Sequence, residues 1–158
     1  MISINDDIRS SKWLKDRFEY LKQRYFSDIE IKNNIIVKFG RPCKTRLGSI
    51  KKGRRIENFN SIITINGHFR DPQIPSYVVD AVLAHEFMHY GHGFASPHEQ
   101  AYDFPHQGGV IDNDLKERGL YDILQSEKVW IKKNWEAYLK KNHSFKSHHR
   151  SIFGIFFK

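Results

Sequence analysis

Residues 85–89 read His85-Glu86-Phe87-Met88-His89, and this short pattern constrains the fold more than any other stretch of the chain. On an α-helix, residues four apart stand on one face, one turn apart. A helix here sets the two imidazoles side by side, in reach of one metal ion. Glu86 then stands beside them, able to reach a water on that ion without being a ligand. Two histidine ligands, a carboxylate base and a metal-activated water at this spacing are the arrangement of a zinc hydrolase.

The flanking sequence supports the helix. Apolar residues at 78, 81, 82 and 88 recur at spacings of three and four, with His85 and His89 on the same stripe. Ser76, preceded by Pro75, reads as the N-cap, and Gly91 and Gly93 supply a stop. The expectation is an amphipathic helix with its histidines turned to the apolar side. Polar groups in such a place cost free energy unless they are paired, which disfavours a chance occurrence on a solvated helix.

A catalytic zinc takes three protein ligands and keeps a fourth position open. The downstream candidates are His92, His98, Glu99 and His106. Ser96-Pro97-His98-Glu99 reads as the start of another helix, with Ser96 as N-cap, Pro97 as its first residue and Glu99 closing a capping box. That occupies Glu99 and leaves His98 in a rigid first turn, free to face the first helix. His92 follows Gly91, where the helix is expected to break. His106, between Pro105 and Gly108-Gly109, reads as a loop residue that lines the cleft or binds substrate. His98 is the preferred third ligand, with Glu99, His106 and His92 as alternatives. The spacing argues against the metzincin pattern, because the position six past His89 is Ala95. Glu117 is far enough downstream for the distant glutamate of a thermolysin-like site, but its surroundings read as an ordinary charged helix end.

Four segments together resemble the SprT-like zinc metallopeptidases and their YgjP-type relatives. They are Lys44-Thr45-Arg46-Leu47-Gly48-Ser49, the strand-like Ser61-Ile62-Ile63-Thr64-Ile65-Asn66, Tyr77-Val78-Val79 leading into His85-Glu86-Phe87-Met88-His89-Tyr90, and His98 followed four residues on by Tyr102. The likeness spans residues 40–105. It implies a compact α+β, zincin-like (minigluzincin) core with a small sheet against the active-site helix. It also implies one zinc per chain on His85, His89 and His98, with Glu86 as general base. The chain departs from the pattern at Leu47 (usually Trp), Ile50 (often Cys) and Phe87 (usually Leu), and by a longer gap from His89 to His98. With Cys43 as its single cysteine, it lacks the cysteine-rich zinc ribbon of the larger members.

At 158 residues the chain is expected to form one domain over 1–141, followed by a basic, aromatic tail over 142–158. One cysteine excludes an intramolecular disulfide and fits a reducing compartment, so Cys43 reads as a packed or half-exposed thiol. No targeting signal and no run long enough to span a bilayer is read, and a cytoplasmic location is the expectation. The net charge of +8 is unevenly placed. Residues 1–60 carry 15 Lys/Arg against 7 Asp/Glu, residues 61–125 carry 3 against 9, and residues 126–158 carry 8 against 2. An acidic catalytic segment between basic flanks points to a polyanion-facing surface or to an ordinary solvated one. No recognised nucleic-acid module accompanies the charge.

Elsewhere, Trp13, Leu14, Phe18, Leu21 and Tyr25 predict a helix over 10–26. Residues 29–39 read as a hairpin about Asn33-Asn34, and 41–55 as a strand pair or loop beside the cleft. Ser61–Asn66 reads as a strand that borders the cleft and can pair with an extended substrate. Residues 99–104 continue the helix opened at Pro97, residues 111–118 make a short helix, and 121–141 a long one. The tail holds His143, His148 and His149 and an apolar run, Ile152–Phe157.

The expected function is zinc-dependent hydrolysis of a peptide or protein substrate. Glu86 takes the proton of the attacking water and passes it to the leaving amine. Tyr90, Tyr102 and His106 are the candidates for a second oxyanion donor. The alternative is a nucleic-acid-associated binding protein whose zinc is structural or vestigial, and a non-peptide amidohydrolase is a third option.

Overall fold

Ser10 begins the first helix: its hydroxyl accepts from the Trp13 N–H at 3.0 Å, capping α1 (Ser11–Tyr25). Leu14, Phe18 and Leu21, at spacings of four and three, are the buried stripe of α1. The computed structural model describes residues 8–142, so the tail residues His143, His148, His149 and Ile152–Phe157 lie outside the described part. Three strands follow, β1 (Ile35–Phe39), β2 (Gly48–Lys52) and β3 (Ser61–Ile65). A 3-10 turn (Gly67–Arg70) leads to α2 (Ser76–Gly91), and α3 (Val110–Glu117) and α4 (Tyr121–Lys141) complete the α+β fold.

The sheet runs β1-β3-β2, with β1 parallel and β2 antiparallel to β3. Val37, Phe39, Ile63 and Ile65 are buried while Lys38 is exposed. One face of the sheet therefore meets the helices and the other is open, as a two-residue side-chain period requires. The predicted hairpin at Asn33-Asn34 does not form. Asn33 instead donates through Nδ2 to the Phe59 carbonyl at 2.9 Å and to Ser61 Oγ at 3.0 Å, holding its segment against the start of β3. Ser61–Ile65 is a strand, but it is the central one, with both edges taken. The strand beside Glu86 is β2.

α2 is not the two-faced helix expected. Every residue from Val78 to Tyr90 is buried, so it runs through the core, as a helix apolar on all sides must. Phe87 packs edge-on to Phe18 and Phe26, with ring centroids 5.2 and 5.1 Å away. Asp80, the buried acid on its first half, is held by Arg17 of α1, whose Nε donates to Oδ1 at 2.9 Å. Each fully buried apolar side chain on α2 contributes about 1.5–3 kcal/mol, so the motif helix is fixed by packing on all sides. α4 crosses it and reaches the segment before β2: Trp135 Nε1 donates to the Lys44 carbonyl at 2.8 Å. Among the described residues no helix is long and apolar enough to cross a membrane.

Candidate metal centre

His85 and His89 project from the second half of α2, one turn apart. Their Nε2 atoms stand 3.1 Å from each other and each stands 3.1 Å from Nε2 of His106. Three ring nitrogens thus form an equilateral triangle. Hydrogen bonds alone do not account for it. In a neutral imidazole each Nε2 is either donor or acceptor, and three atoms in a ring cannot alternate between two roles. At least one edge sets two lone pairs, or two N–H groups, against each other. A cation shared by three lone pairs removes that conflict. Ligand nitrogens about 2.0–2.1 Å from a tetrahedral ion stand about 3.3 Å apart, close to the separation found. His85, His89 and His106 can therefore hold a metal ion.

The protonation states suit this role. Burial holds His85 well below the ordinary histidine value, helped by the neighbouring His89, His106 and Lys128. Burial also lowers His89, to about 4, with His106 and His92 adding to the effect. His106 is lowered by its partial burial, which Asp112 opposes. All three rings keep their lone pairs available at neutral pH.

Glu86 is fully buried, and among the described residues neither of its carboxylate oxygens has a hydrogen-bond partner. Burial pushes its pKa well above the ordinary glutamate range, against the pull of Arg46. A partnerless buried carboxyl is costly. Its place is made by Gly48, the first residue of β2: a Cβ there would lie 2.6 Å from Val82 Cγ1 and 3.0 Å from Glu86 Oε1. The segment that delivers Gly48 is pinned by Asn66. Its Nδ2 donates to the Cys43 and Arg46 carbonyls at 2.6 and 2.9 Å, and its Oδ1 accepts from the Cys43 N–H at 3.2 Å. Cys43 itself is half-exposed, in keeping with its reading from sequence.

The third member of the triangle is His106 and not His98. The predicted helix from Pro97 to 104 is absent. Gly93 turns the chain with φ +84°, and the Glu99 carbonyl oxygen passes 2.4 Å from where a Cβ on Gly93 would stand. Ser96 does not cap a helix; its hydroxyl donates to the Tyr90 carbonyl at 2.7 Å and accepts from the His98 N–H at 3.3 Å. His98 Nε2 instead donates to the Glu30 carbonyl at 2.7 Å, with its ring edge-on to Tyr90. Glu99 is exposed. His92 is buried and bound through Nε2 to Asp114 Oδ2 of α3 at 2.5 Å, which fastens α3 to the end of α2. Gly108 and Gly109, at φ +57° and +71°, make the bend that brings His106 over the α2 histidines. The sequence signal for His106 was this histidine before a Gly-Gly pair at the mouth of a helix.

Of the candidate oxyanion donors, Tyr90 is committed elsewhere: its hydroxyl donates to Asn33 Oδ1 at 2.8 Å and accepts from the Lys32 N–H at 3.0 Å. Tyr102 packs against His92 with ring centroids 4.9 Å apart, and His106 belongs to the triangle.

Comparison with protein-family models, with curated proteins and with solved structures finds no match to this chain.

Proposed function

We propose that the chain is a zinc-dependent metallopeptidase in which His85, His89 and His106 hold the ion and Glu86 is the general base. The observation that carries this reading is the triangle of Nε2 atoms, 3.1 Å on each side, beside a buried carboxylate with no hydrogen-bond partner among the described residues. A structural zinc is closed by four protein ligands, whereas a catalytic one has three and an open side. Among the described residues there are three, and His106 is exposed, which leaves that side open to substrate. A zinc ion bound there supplies an acidic water near neutral pH and polarises a carbonyl oxygen.

The chain's own residues do the rest. Glu86 takes a proton from the attacking water and delivers it to the departing amine; desolvation makes it a stronger base than a solvated glutamate. The outer edge of β2, unpaired among the described residues, lies next to Glu86 and offers a main-chain track for an extended substrate. Antiparallel alternation turns the N–H and C=O of Leu47, Ser49, Lys51 and Gly53 toward β3, as the Asn66–Leu47 and Gly53–Asn60 hydrogen bonds at 2.9 and 2.7 Å require. Those of Gly48, Ile50 and Lys52 face outward. The reading keeps the SprT-like resemblance in its chemistry and moves the third ligand to His106.

The test is Glu86→Gln. The variant keeps its zinc and loses hydrolysis of an unfolded protein substrate by about 10²–10⁴-fold. Undiminished hydrolysis in the pure variant would overturn the assignment. The rival reading, a nucleic-acid-binding protein with a structural zinc, draws on the basic flanks. It requires salt-sensitive DNA or RNA binding and no hydrolysis by the wild type.

A further inference from the structure

Residues 38–55 contain eight Lys/Arg and no Asp/Glu. They include β2, the edge strand that abuts Glu86. Arg46 precedes the strand, Lys51 and Lys52 end it, and Arg54 and Arg55 follow; all five side chains are exposed. Among the described residues none of the five forms an ion pair with a carboxylate. The ion pairs that exist lie elsewhere, on α1, between α1 and α2, between α3 and its neighbours, and on α4. Lys52 has only the face of Phe59, 4.7 Å from the ring centroid. On α3, Asp112 is engaged by Lys128 and Asp114 by His92. The β2 wall of the cleft is therefore positive, its only carboxylate influence among the described residues being that of buried Glu86 on Arg46.

The arrangement of these cations follows the strand. Gly48, Ile50 and Lys52 share the helix-facing side of β2, and Ser49 and Lys51 the open side. A strand added at this edge places its own side chains alternately on the same two sides, about 4.5–5.5 Å from those of β2. Each side then meets a lysine at one end of the track, with Arg46 at the other end and Arg54 and Arg55 beyond. Like charges directly opposite are unfavourable and opposite charges favourable.

We infer that the β2 edge selects acidic polypeptide segments, binding aspartate- and glutamate-rich stretches in extended form across the metal centre. The inference rests on the peptidase reading for the use made of the bound segment, but not for the binding itself. A peptide is favoured over a nucleic acid because the outward N–H and C=O groups of Gly48, Ile50 and Lys52 call for a partner with alternating main-chain donors and acceptors, whereas a phosphodiester backbone offers acceptors without N–H donors.

The experiment uses full-length Glu86→Gln protein loaded with zinc, and fluorescein-labelled ten-residue peptides with Glu, Gln or Lys at alternate positions. Fluorescence anisotropy is read at low and high salt. The acidic peptide is expected to bind about tenfold tighter than the neutral one, with the preference shrinking as salt is raised. Arg46→Glu with Lys51→Glu abolishes the preference. Lys15→Glu, at the groove beside β1 on the far edge of the sheet, leaves it intact. Equal binding of acidic and neutral peptides, or a preference that survives both charge reversals, overturns the inference, and so does a ten-nucleotide single-stranded DNA that displaces the acidic peptide and is itself lost on those reversals. The salt series on the unreversed protein decides the matter even if the double variant fails to fold. The two readings fail separately. If the wild type cuts peptides without regard to charge, the acidic preference falls and the peptidase stands. If acidic peptides bind and none is cut, the peptidase falls and the binding edge stands.

Discussion

Gly48 and Glu86 fit against each other with no room between them: a Cβ on Gly48 would stand 3.0 Å from Glu86 Oε1 and 2.6 Å from Val82 Cγ1. A glycine 38 residues before Glu86 thus sets where that carboxylate sits. In Gly48→Ala, Val82 and Glu86 must shift. The variant is expected to lose about 1–3 kcal/mol of stability and most of its hydrolysis, while keeping its metal. Thermal unfolding, metal content and hydrolysis measured on one preparation check this. Unaltered activity would mean that the position of Glu86 is not set by β2.

Metal affinity should resist acid. A proton competes with the ion for each ligand nitrogen only below the pKa of that nitrogen in the metal-free fold. His89 is held at about 4, and burial holds His85 well below the ordinary 6.5. Zinc binding by equilibrium dialysis is therefore expected to begin to weaken only at a pH below the ordinary histidine value, the partial burial of His106 acting in the same direction. A decline that begins at the ordinary histidine value would show that the rings are solvated.

Glu127 gives a stability prediction with a definite sign. It is buried on α4 at 3% exposure, with no hydrogen-bond partner among the described residues, and burial raises its pKa from 4.5 to about 7. Between those values the folded chain binds more protons than the unfolded one. Its contribution is fully present below pH 4.5 and is lost as pH rises through 7. Glu127→Gln should therefore stabilise the protein by on the order of 2–3 kcal/mol at pH 8 and by little at pH 5. Melting curves at the two pH values check it. An equal change at both would place the carboxyl in contact with solvent.

The parts of this fold legible in the sequence are those fixed by local periodicity. α4 spans the residues its apolar spacing indicates, α1 comes within a residue of them at each end, and β3 is a strand where alternation placed one. What escaped is set by contacts distant in sequence. Asn33-Asn34 has the composition of a turn, yet Asn33 bonds to Phe59 and Ser61. Ser96-Pro97 has the composition of a helix start, yet the Ser96 hydroxyl reaches back to Tyr90. The central position of β3 depends on β1 pairing parallel to it across an intervening strand, which no local pattern encodes. For the site, the two α2 histidines and Glu86 were readable because one helix carries all three. The third histidine comes from a loop whose path depends on Gly93 and on the Gly108-Gly109 bend, so the sequence reading narrowed it to four residues and preferred His98, whereas the structure brings His106 to the pair.

The most direct test of the account is the metal bound per chain in wild type, His106→Ala and His98→Ala, measured by elemental analysis after dialysis against limiting zinc. The triangle of His85, His89 and His106 predicts about one zinc in the wild type, little or none in His106→Ala, and the wild-type content in His98→Ala. Zinc lost from His98→Ala and retained by His106→Ala would contradict it.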